Sequence, residues 1–290
     1  VYLDGNSNSS YGRMNIKGGD FTSVTKFDGR NGTYNSYTVT GGTFASDPSK
    51  DILTIPTGYE VKNNGDGTYT VQKKGADNYI AQNDAGSKYE TLADAFSGTA
   101  ANGTITLLKD CTISSQIACS KNISLDLNGH QIDVSGIDYL FKVTGSGDFY
   151  LSGSGTINAP KGVFLFQSTG TLTIDDIEMN TNVGATSNTA GFGNKFSSGK
   201  VVVTNLKGTT LYGSMFYFDG PCTGTFGVGN SVELIGILPG MSNNNPYPSS
   251  SFGLANSSAE VTVTGGYYKS ACYGAYIMTS GGTFTMTGGT

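Results

Sequence analysis

A short phrase recurs along this chain: a group of aromatic or aliphatic residues, a polar loop, an alternating apolar strand, and then glycine or a polar turn. Tyr139-Leu140-Phe141 precedes the strand Phe149-Tyr150-Leu151 in this way. The phrase begins at residues 139 and 164, a step of 25 residues, and again at residues 252 and 276, a step of 24. Because a fixed period of this length with strand patterning is typical of stacked coils, the sequence predicts an all-β parallel solenoid.

The composition fits a chain that contains many turns. There are 43 glycines and only 13% charged residues, while 17 tyrosines and 15 phenylalanines supply large side chains for a core. Each coil of a solenoid needs several turns, and turns favour Gly, Asn and Asp. The net charge of −5 argues against a nucleic-acid partner, and no apolar run is long enough for membrane insertion.

Signals for the two ends of a solenoid occur in the first hundred residues. Gly18-Gly19 and Gly41-Gly42 end equivalent strands, and the Asn-Gly and Asp-Gly pairs of residues 64–67 supply the turn of a β-hairpin. Apolar side chains at Tyr89, Leu92, Ala93 and Phe96 then have the spacing of one helix face. We expect this short helix to cover the apolar end of the coil that follows, which would otherwise expose unpaired strand edges.

These signals predict three segments. Residues 1–73 are the terminal solenoid coils and closing β-hairpin of one module. Residues 74–98 are a junction and capping helix, and residues 99–290 are the parallel β-helix of the next module.

Four segments resemble a known superfold. Residues 103–110 and 121–130, with the Tyr-x-Thr-Leu-x-x-Ala segment Tyr89–Ala95, are similar to the opening coils of right-handed parallel β-helix modules of the pectate-lyase-like superfold. The likeness is greatest to modules in large repetitive surface proteins of Gram-positive bacteria. Residues 41–71 resemble the end of such a module. The resemblance implies a right-handed β-helix, an extracellular or cell-surface location, no cofactor, and neighbouring tandem modules of the same chain.

Candidate catalytic residues are few. An enzyme with this fold needs converging carboxylates or a metal ion. Asp175-Asp176 with Glu178 is the best cluster, and the Asp pair is similar to that of polygalacturonases, but the Gly-His-Gly and Arg-Ile-Lys motifs of that family are absent. His130, the one histidine, follows Asn128-Gly129 in a turn signal. We therefore expect neither a catalytic nor a metal site.

The four cysteines have no CxxC spacing, and one histidine leaves too few ligands for zinc. Pairing of Cys111 with Cys119, and of Cys222 with Cys272, stays open at this stage. The simpler interpretation is that these side chains fill small apolar positions inside the coils.

Two polar stretches, residues 181–199 and 239–251, interrupt the repeat, and solenoids commonly place such insertions on one face. Tyr247 lies between two prolines, which stiffen the backbone, and the preceding asparagines can donate and accept hydrogen bonds. The predicted ligand-binding residues are Asn243, Asn244, Asn245 and Tyr247. Four further tyrosines near the C-terminal end belong either to the core or to a recognition surface: Tyr267, Tyr268, Tyr273 and Tyr276.

Together these features predict a non-enzymatic, adhesin-like module of a repetitive bacterial surface protein, whose side loops bind a glycan or a host or bacterial surface protein. A polysaccharide lyase or glycoside hydrolase on the same fold is the first alternative. A phage tail-fibre or spike protein, which would be a trimer, is the second. The fold by itself does not decide among these functions.

Overall fold

A computed structural model of the chain describes residues 2–3, 13–24, 27–29, 36–75, 78–183, 192–237, 250–270, 273–277 and 281–290. The chain forms two compact units, residues 1–78 (unit 1) and residues 79–290 (unit 2). Both are built almost entirely from β-strands. In the described part of the chain, no helix is long and apolar enough to cross a lipid bilayer.

Unit 1 consists of parallel coils closed by an antiparallel hairpin. Its strands are β1 (Tyr2–Leu3), β2 (Arg13–Phe21), β3 (Asp28–Gly29), β4 (Ser36–Phe44), β5 (Tyr59–Asn63) and β6 (Tyr69–Lys73), with a 3-10 turn at Pro48–Lys50. Strands β2 and β4 pair in parallel, and β5 and β6 form the hairpin predicted from the sequence. Strand β6 pairs antiparallel with the end of β4, so the hairpin closes this edge of the coil stack.

Unit 2 is a parallel β-solenoid whose coils contribute strands to three rows. The first row contains β9 (Gly103–Leu107), β12 (Ile123–Asp126), β15 (Phe149–Ser152), β18 (Thr171–Ile174), the first halves of β21 (Gly199–Thr210) and β23 (Cys222–Gly236), β25 (Glu260–Val263) and β28 (Thr283–Met286). The second row contains β10 (Cys111–Ile113), β13 (Gln131–Val134), β16 (Thr156–Asn158), β19 (Ile177–Thr181), the second halves of β21 and β23, and β26 (Tyr267–Ser270). The third row contains β11 (Ile117–Cys119), β14 (Tyr139–Val143), β17 (Gly162–Phe166), β20 (Asn194–Phe196), β22 (Ser214–Phe218), β24 (Ser250–Leu254) and β27 (Tyr273–Ile277). The parallel solenoid predicted from the 24-residue period is confirmed.

The first coil of unit 2 is covered by a hairpin and a helix. Strands β7 (Ala81–Asn83) and β8 (Lys88–Tyr89) pair antiparallel, and β7 also pairs antiparallel with β9. Helix α1 (Leu92–Gly98) follows, with Thr91 as its N-cap, since the Thr91 hydroxyl accepts a hydrogen bond from the Asp94 amide. The helix is confirmed, but it starts after the Thr91 cap, so Tyr89 lies in β8 instead. Ala93 is on the exposed side of the helix, contrary to the predicted face. The buried face is formed by Leu92, Ala95 and Phe96.

Aromatic rings stack from coil to coil inside unit 2. The ring centroid of Phe96 lies 5.4 Å from that of Phe141 and 5.8 Å from that of Phe149. Phe141 pairs in register with Phe164 on the next coil, at 5.5 Å between ring centroids. These separations fall in the range of favourable aromatic pairs. Together with the buried aliphatic side chains, these rings belong to one continuous apolar core.

The corner between the first and second rows depends on residues with positive φ. Asn128 (φ 50°), Ser154 (φ 51°) and Asp176 (φ 54°) occupy it on successive coils, and Gly266 (φ 100°) and Gly289 (φ 90°) occupy it near the C-terminal end. Asn and Asp tolerate this left-handed conformation better than most residues with a side chain, and glycine adopts it without strain. The turn signals in the sequence therefore mark a structural corner.

The described cysteines are free thiols. Cys119 and Cys222 are buried, and Cys111 is partly buried, so no bridge joins Cys111 to Cys119. Burial raises the pKa of Cys111 to about 11 and that of Cys222 to about 12, and it also raises the pKa of Cys119. The interpretation of these residues as small core side chains is confirmed for Cys119 and Cys222, while Cys272 lies outside the described residues.

We expect Phe96→Ala to lower the free energy of unfolding by about 3–5 kcal/mol, because it removes a buried ring between the capping helix and the first coils. Urea denaturation monitored by circular dichroism measures this change. Ser97→Ala, on the exposed side of the same helix, is the matched control and should change stability by less than about 0.5 kcal/mol. Equal effects of the two substitutions would contradict the capping role.

We also expect iodoacetamide at pH 8 to leave Cys119 and Cys222 unmodified in the folded protein. A raised pKa means that less of the reactive thiolate is present at this pH, and burial blocks access of the reagent. Peptide mass spectrometry before and after urea denaturation measures the modification of each cysteine separately. Modification of Cys222 at the same rate in both states would show that its side chain is not buried in the folded protein.

Candidate functional site

The predicted ligand-binding residues Asn243, Asn244, Asn245 and Tyr247 lie outside the described residues. The adjoining strands nevertheless show where their loop leaves the solenoid. It connects the end of β23 in the second row with the start of β24 in the third row. The other insertion leaves from the same corner, since it connects the end of β19 with the start of β20. Because β19, β21 and β23 pair in that order, the two insertions leave two coils apart.

The base of this corner contains a buried asparagine that sequence reasoning missed. Asn194 is completely buried, and its position in β20 takes the place of a phenylalanine in the third row, between Phe164 and Phe216. Its Oδ1 accepts hydrogen bonds from the amides of Val163 (2.9 Å) and Phe164 (3.0 Å), and its Nδ2 donates to the carbonyl of Met215 (3.1 Å). These bonds satisfy the polar side chain, so Asn194 joins three coils where the insertions leave.

The candidate catalytic aspartates hydrogen-bond to residues of the neighbouring coil. Asp175 Oδ1 accepts a hydrogen bond from the Thr204 hydroxyl (2.6 Å), and Asp176 Oδ1 accepts one from Asn205 Nδ2 (3.2 Å). Both aspartates lie at the corner between the first two rows, whereas Glu178 lies on β19 in the second row. The aspartates therefore tie one coil to the next. Among the described residues, no group of three or more His, Cys, Asp or Glu side chains is arranged to hold a metal ion.

His130 is also part of a coil-to-coil contact. Its Nδ1 lies 3.2 Å from Asp110 Oδ1, and the same oxygen accepts a hydrogen bond from the Gln131 amide at 2.9 Å. The bond from the Gln131 amide, and then that from His130, lower the pKa of the Asp110 carboxyl. A carboxylate that accepts two hydrogen bonds is favoured in its charged form. The turn signal before His130 thus belongs to a structural contact.

The outer surface of the second row carries a ladder of hydrogen-bonded polar side chains. Asp133, Asn158, Asn180 and Thr209 are in register on four successive coils. Asn158 Nδ2 donates to Asp133 Oδ1 (2.8 Å), Asn180 Nδ2 donates to Asn158 Oδ1 (2.9 Å), and Thr209 donates to Asn180 Oδ1. Each amide uses its own donor and acceptor on its neighbours, so this ladder stabilises the stack.

A second column on the same surface contains charged residues and ends in a tyrosine. Glu178, Lys207, Glu233 and Tyr267 are in register on four successive coils. Lys207 Nζ lies 3.8 Å from Glu178 Oε2. Tyr267 is 46% exposed, compared with 39% for Tyr150 in the first row. We call these four residues the Glu–Lys–Tyr column.

A groove of about 650 Å³ runs along the C-terminal part of this column. It is lined by Asn205, Lys207, Ser231, Glu233, Gly266 and Tyr267, among others. Gly266 allows the coils to pack closely at this groove, because it adopts φ +100° and a Cβ atom there would lie 2.6 Å from the Val232 carbonyl oxygen. An amide, an ammonium group, a carboxylate and a tyrosine ring thus surround one groove. This set can hydrogen-bond to hydroxyl groups and pack against an apolar ring face.

The C-terminal tyrosines have different environments. Tyr268 is partly buried against the core, and its hydroxyl donates to the Gly265 carbonyl at 2.8 Å. Burial raises the pKa of Tyr268. The side chains of Tyr273 and Tyr276 lie outside what the structure describes. Among the tyrosines of this group whose side chains are described, Tyr267 is exposed on the surface. Its neighbours in the column, Glu233 and Lys207, follow from the pairing of the coils and are distant in the sequence.

Comparisons with known proteins give no relative for this chain: no protein-family model, no curated protein and no solved structure matches it.

Proposed function

We propose that this chain is a non-enzymatic, adhesin-like structural module of a repetitive bacterial cell-surface protein, and that it binds a polyhydroxylated ligand, a glycan, in the groove beside the Glu–Lys–Tyr column. The bacterial, extracellular assignment rests on the resemblance of its opening coils and closing hairpin to such modules. The choice of a glycan rests on the chemistry of the groove.

The proposal that the chain is not an enzyme is supported by the hydrogen bonds of the candidate carboxylates. Asp175 and Asp176 accept hydrogen bonds from Thr204 and Asn205 of the neighbouring coil. A general acid or base needs a carboxyl group that faces the substrate and is within hydrogen-bonding reach of it. Side chains that join coils serve the stability of the stack instead.

The observation that carries the binding part is the exposed ring of Tyr267 in register with Glu233 and Lys207. Tyrosine offers a large contact area and a polar tip at a low cost in side-chain entropy. Charged and amide groups on fixed strands are already oriented, so little order has to be imposed when a ligand binds. Ligand contacts from Asn243, Asn244, Asn245 and Tyr247 remain a prediction. Their loop follows Gly236, three positions after Glu233 on the same strand.

Glycan binding is tested by screening the intact chain on an array of neutral and acidic glycans, followed by calorimetry with the best ligand. We expect Tyr267→Ala to weaken binding about tenfold, which corresponds to about 1.4 kcal/mol. Tyr150→Ala is the matched control, because Tyr150 is 39% exposed and lies in the first row. Equal affinities of the two variants would remove the groove from consideration.

The non-enzymatic assignment has a separate test. We expect no release of reducing ends or unsaturated products when the protein is incubated with pectin-like and neutral polysaccharides, with and without calcium. Glu233 lines the groove, and Glu178 belongs to the same column, with Lys207 between them in register. Activity that disappears in Glu178→Gln or Glu233→Gln, or in Asp175→Asn and Asp176→Asn, would show that the chain is a lyase or hydrolase.

A further inference from the structure

A tyrosine on the outer face of the third row is buried. One outward column of this row is in register on five successive coils and consists of Lys142, Leu165, Lys195, Tyr217 and Gly253. The first three side chains are half-buried, whereas Tyr217 is only 9% exposed. Its neighbours Phe216 and Phe218 face the core, and alternate residues of a strand face opposite sides, so the Tyr217 ring is covered from outside the coil.

Phe192, two residues before β20, supplies part of this cover. Its ring lies parallel to that of Tyr217, with 2° between the ring planes and 3.5 Å between the ring centroids. Aromatic pairs prefer offset or edge-to-face arrangements with centroids about 4.5–7 Å apart, because both ring faces carry negative partial charge. A direct face-to-face contact is therefore a weak one for two aromatic rings. A saturated sugar ring presents C–H hydrogens with positive partial charge instead, so it would pack on Tyr217 without this repulsion.

Tyr217 is bordered by polar side chains that reach the surface. A Cβ atom at Gly253 would lie 3.0 Å from Tyr217 Cδ2, so glycine lets the ring lie close to the next coil. Lys195 Nζ lies 2.7 Å from Asp219 Oδ2, and the Ser197 hydroxyl donates to Asp219 Oδ1 at 2.8 Å. The side chains of Lys195 and Asp219 are 35% and 24% exposed. An ammonium group that donates and a carboxylate that accepts hydrogen bonds suit a ring with several hydroxyl groups, and their opposite charges favour a neutral one.

The contact between the two rings can open by rotation of one side chain. The backbone directly after Phe192 is fixed, because the Gly193 amide donates to the Ser214 carbonyl at 2.8 Å and Asn194 is completely buried. The Phe192 side chain itself is half-buried. Rotation about its χ1 angle, between staggered positions, moves the ring off Tyr217 and leaves the strand in place.

We propose that Tyr217, Lys195 and Asp219 form a second glycan subsite, for a neutral sugar ring, and that the Phe192 side chain competes with the ligand for it. The sugar ring displaces Phe192, stacks on Tyr217 and hydrogen-bonds to Lys195 and Asp219 through its hydroxyl groups. This subsite shares the ligand class of the proposed function but lies in the third row, so it does not require binding in the groove of the second row. An open conformer populated at about 10% raises the apparent dissociation constant about tenfold.

Calorimetry of the full chain with cellohexaose, maltohexaose and chitohexaose tests this subsite. We expect Phe192→Ala to bind at least one of them about tenfold more tightly than the wild type, because it removes the competing ring. Adding Tyr217→Ala to Phe192→Ala should abolish the gain, whereas adding Tyr267→Ala should leave it intact, since Tyr267 belongs to the groove. Leu165→Ala, in the same outward column, is the matched control and should bind as the wild type does.

The accessibility of Tyr217 distinguishes displacement of the ring from a loss of structure. In Phe192→Ala, acetylation of Tyr217 by N-acetylimidazole, measured by peptide mass spectrometry, should increase while the circular dichroism spectrum stays that of the wild type. A solely structural role of Phe192 predicts lower stability with no gain in affinity. Unchanged, weaker or absent binding of all three oligosaccharides by Phe192→Ala, or a gain that survives Tyr217→Ala, would overturn the proposal.

Discussion

In-register parallel pairing of each coil with the next is the constraint on which the rest of this structure depends. Parallel strands are held by backbone hydrogen bonds, and the side chain of one coil is placed over the equivalent side chain of its neighbour, about 4.8 Å away. Every residue on these parallel strands is therefore part of a column. Inward columns form the aromatic core around Phe141 and Phe164, and outward columns bring together polar residues that are far apart in the sequence.

The columns explain why the same residue types have different roles along the chain. Asp133 and Asn158 stand in register and hydrogen-bond to each other, so they serve the stack. In the neighbouring column, the sequence changes from Glu178 and Lys207 to Tyr267, and the column ends in an exposed ring. We propose that the same arrangement also provides a recognition surface, because binding residues need only replace the stacking residues of a few coils.

Much of the fold could be predicted from sequence because its signals are local. The period, the Gly-Gly corners and the hairpin turn at residues 64–67 are each contained in a few neighbouring residues. The role of Asn194 could not be predicted, because the amides and the carbonyl that satisfy it belong to other coils. The hairpin β7–β8 was not predicted because its strands are short and polar. It is held by the backbone hydrogen bonds that β7 makes with β9, which lies later in the sequence.

The Glu–Lys–Tyr column could not be predicted from the sequence either, because its members are unequally spaced along the chain. Its members follow one another at steps of 29, 26 and 34 residues, since loops of different length separate the coils. No constant period links them, and register is set by the whole strand rather than by loop length. The candidate carboxylates Asp175 and Asp176 were visible as a pair in the sequence, but only the structure shows that their partners lie on adjacent coils.

The most direct test of this account is a set of cross-strand nuclear Overhauser effects measured on the deuterated, amide-protonated chain with selective α-proton labelling. In-register parallel coils predict contacts between Glu178 and Lys207, between Lys207 and Glu233, and between Glu233 and Tyr267. Contacts that are displaced by one residue along these strands, or that show antiparallel pairing in the second row, would contradict the coil register, and with it the column and the groove.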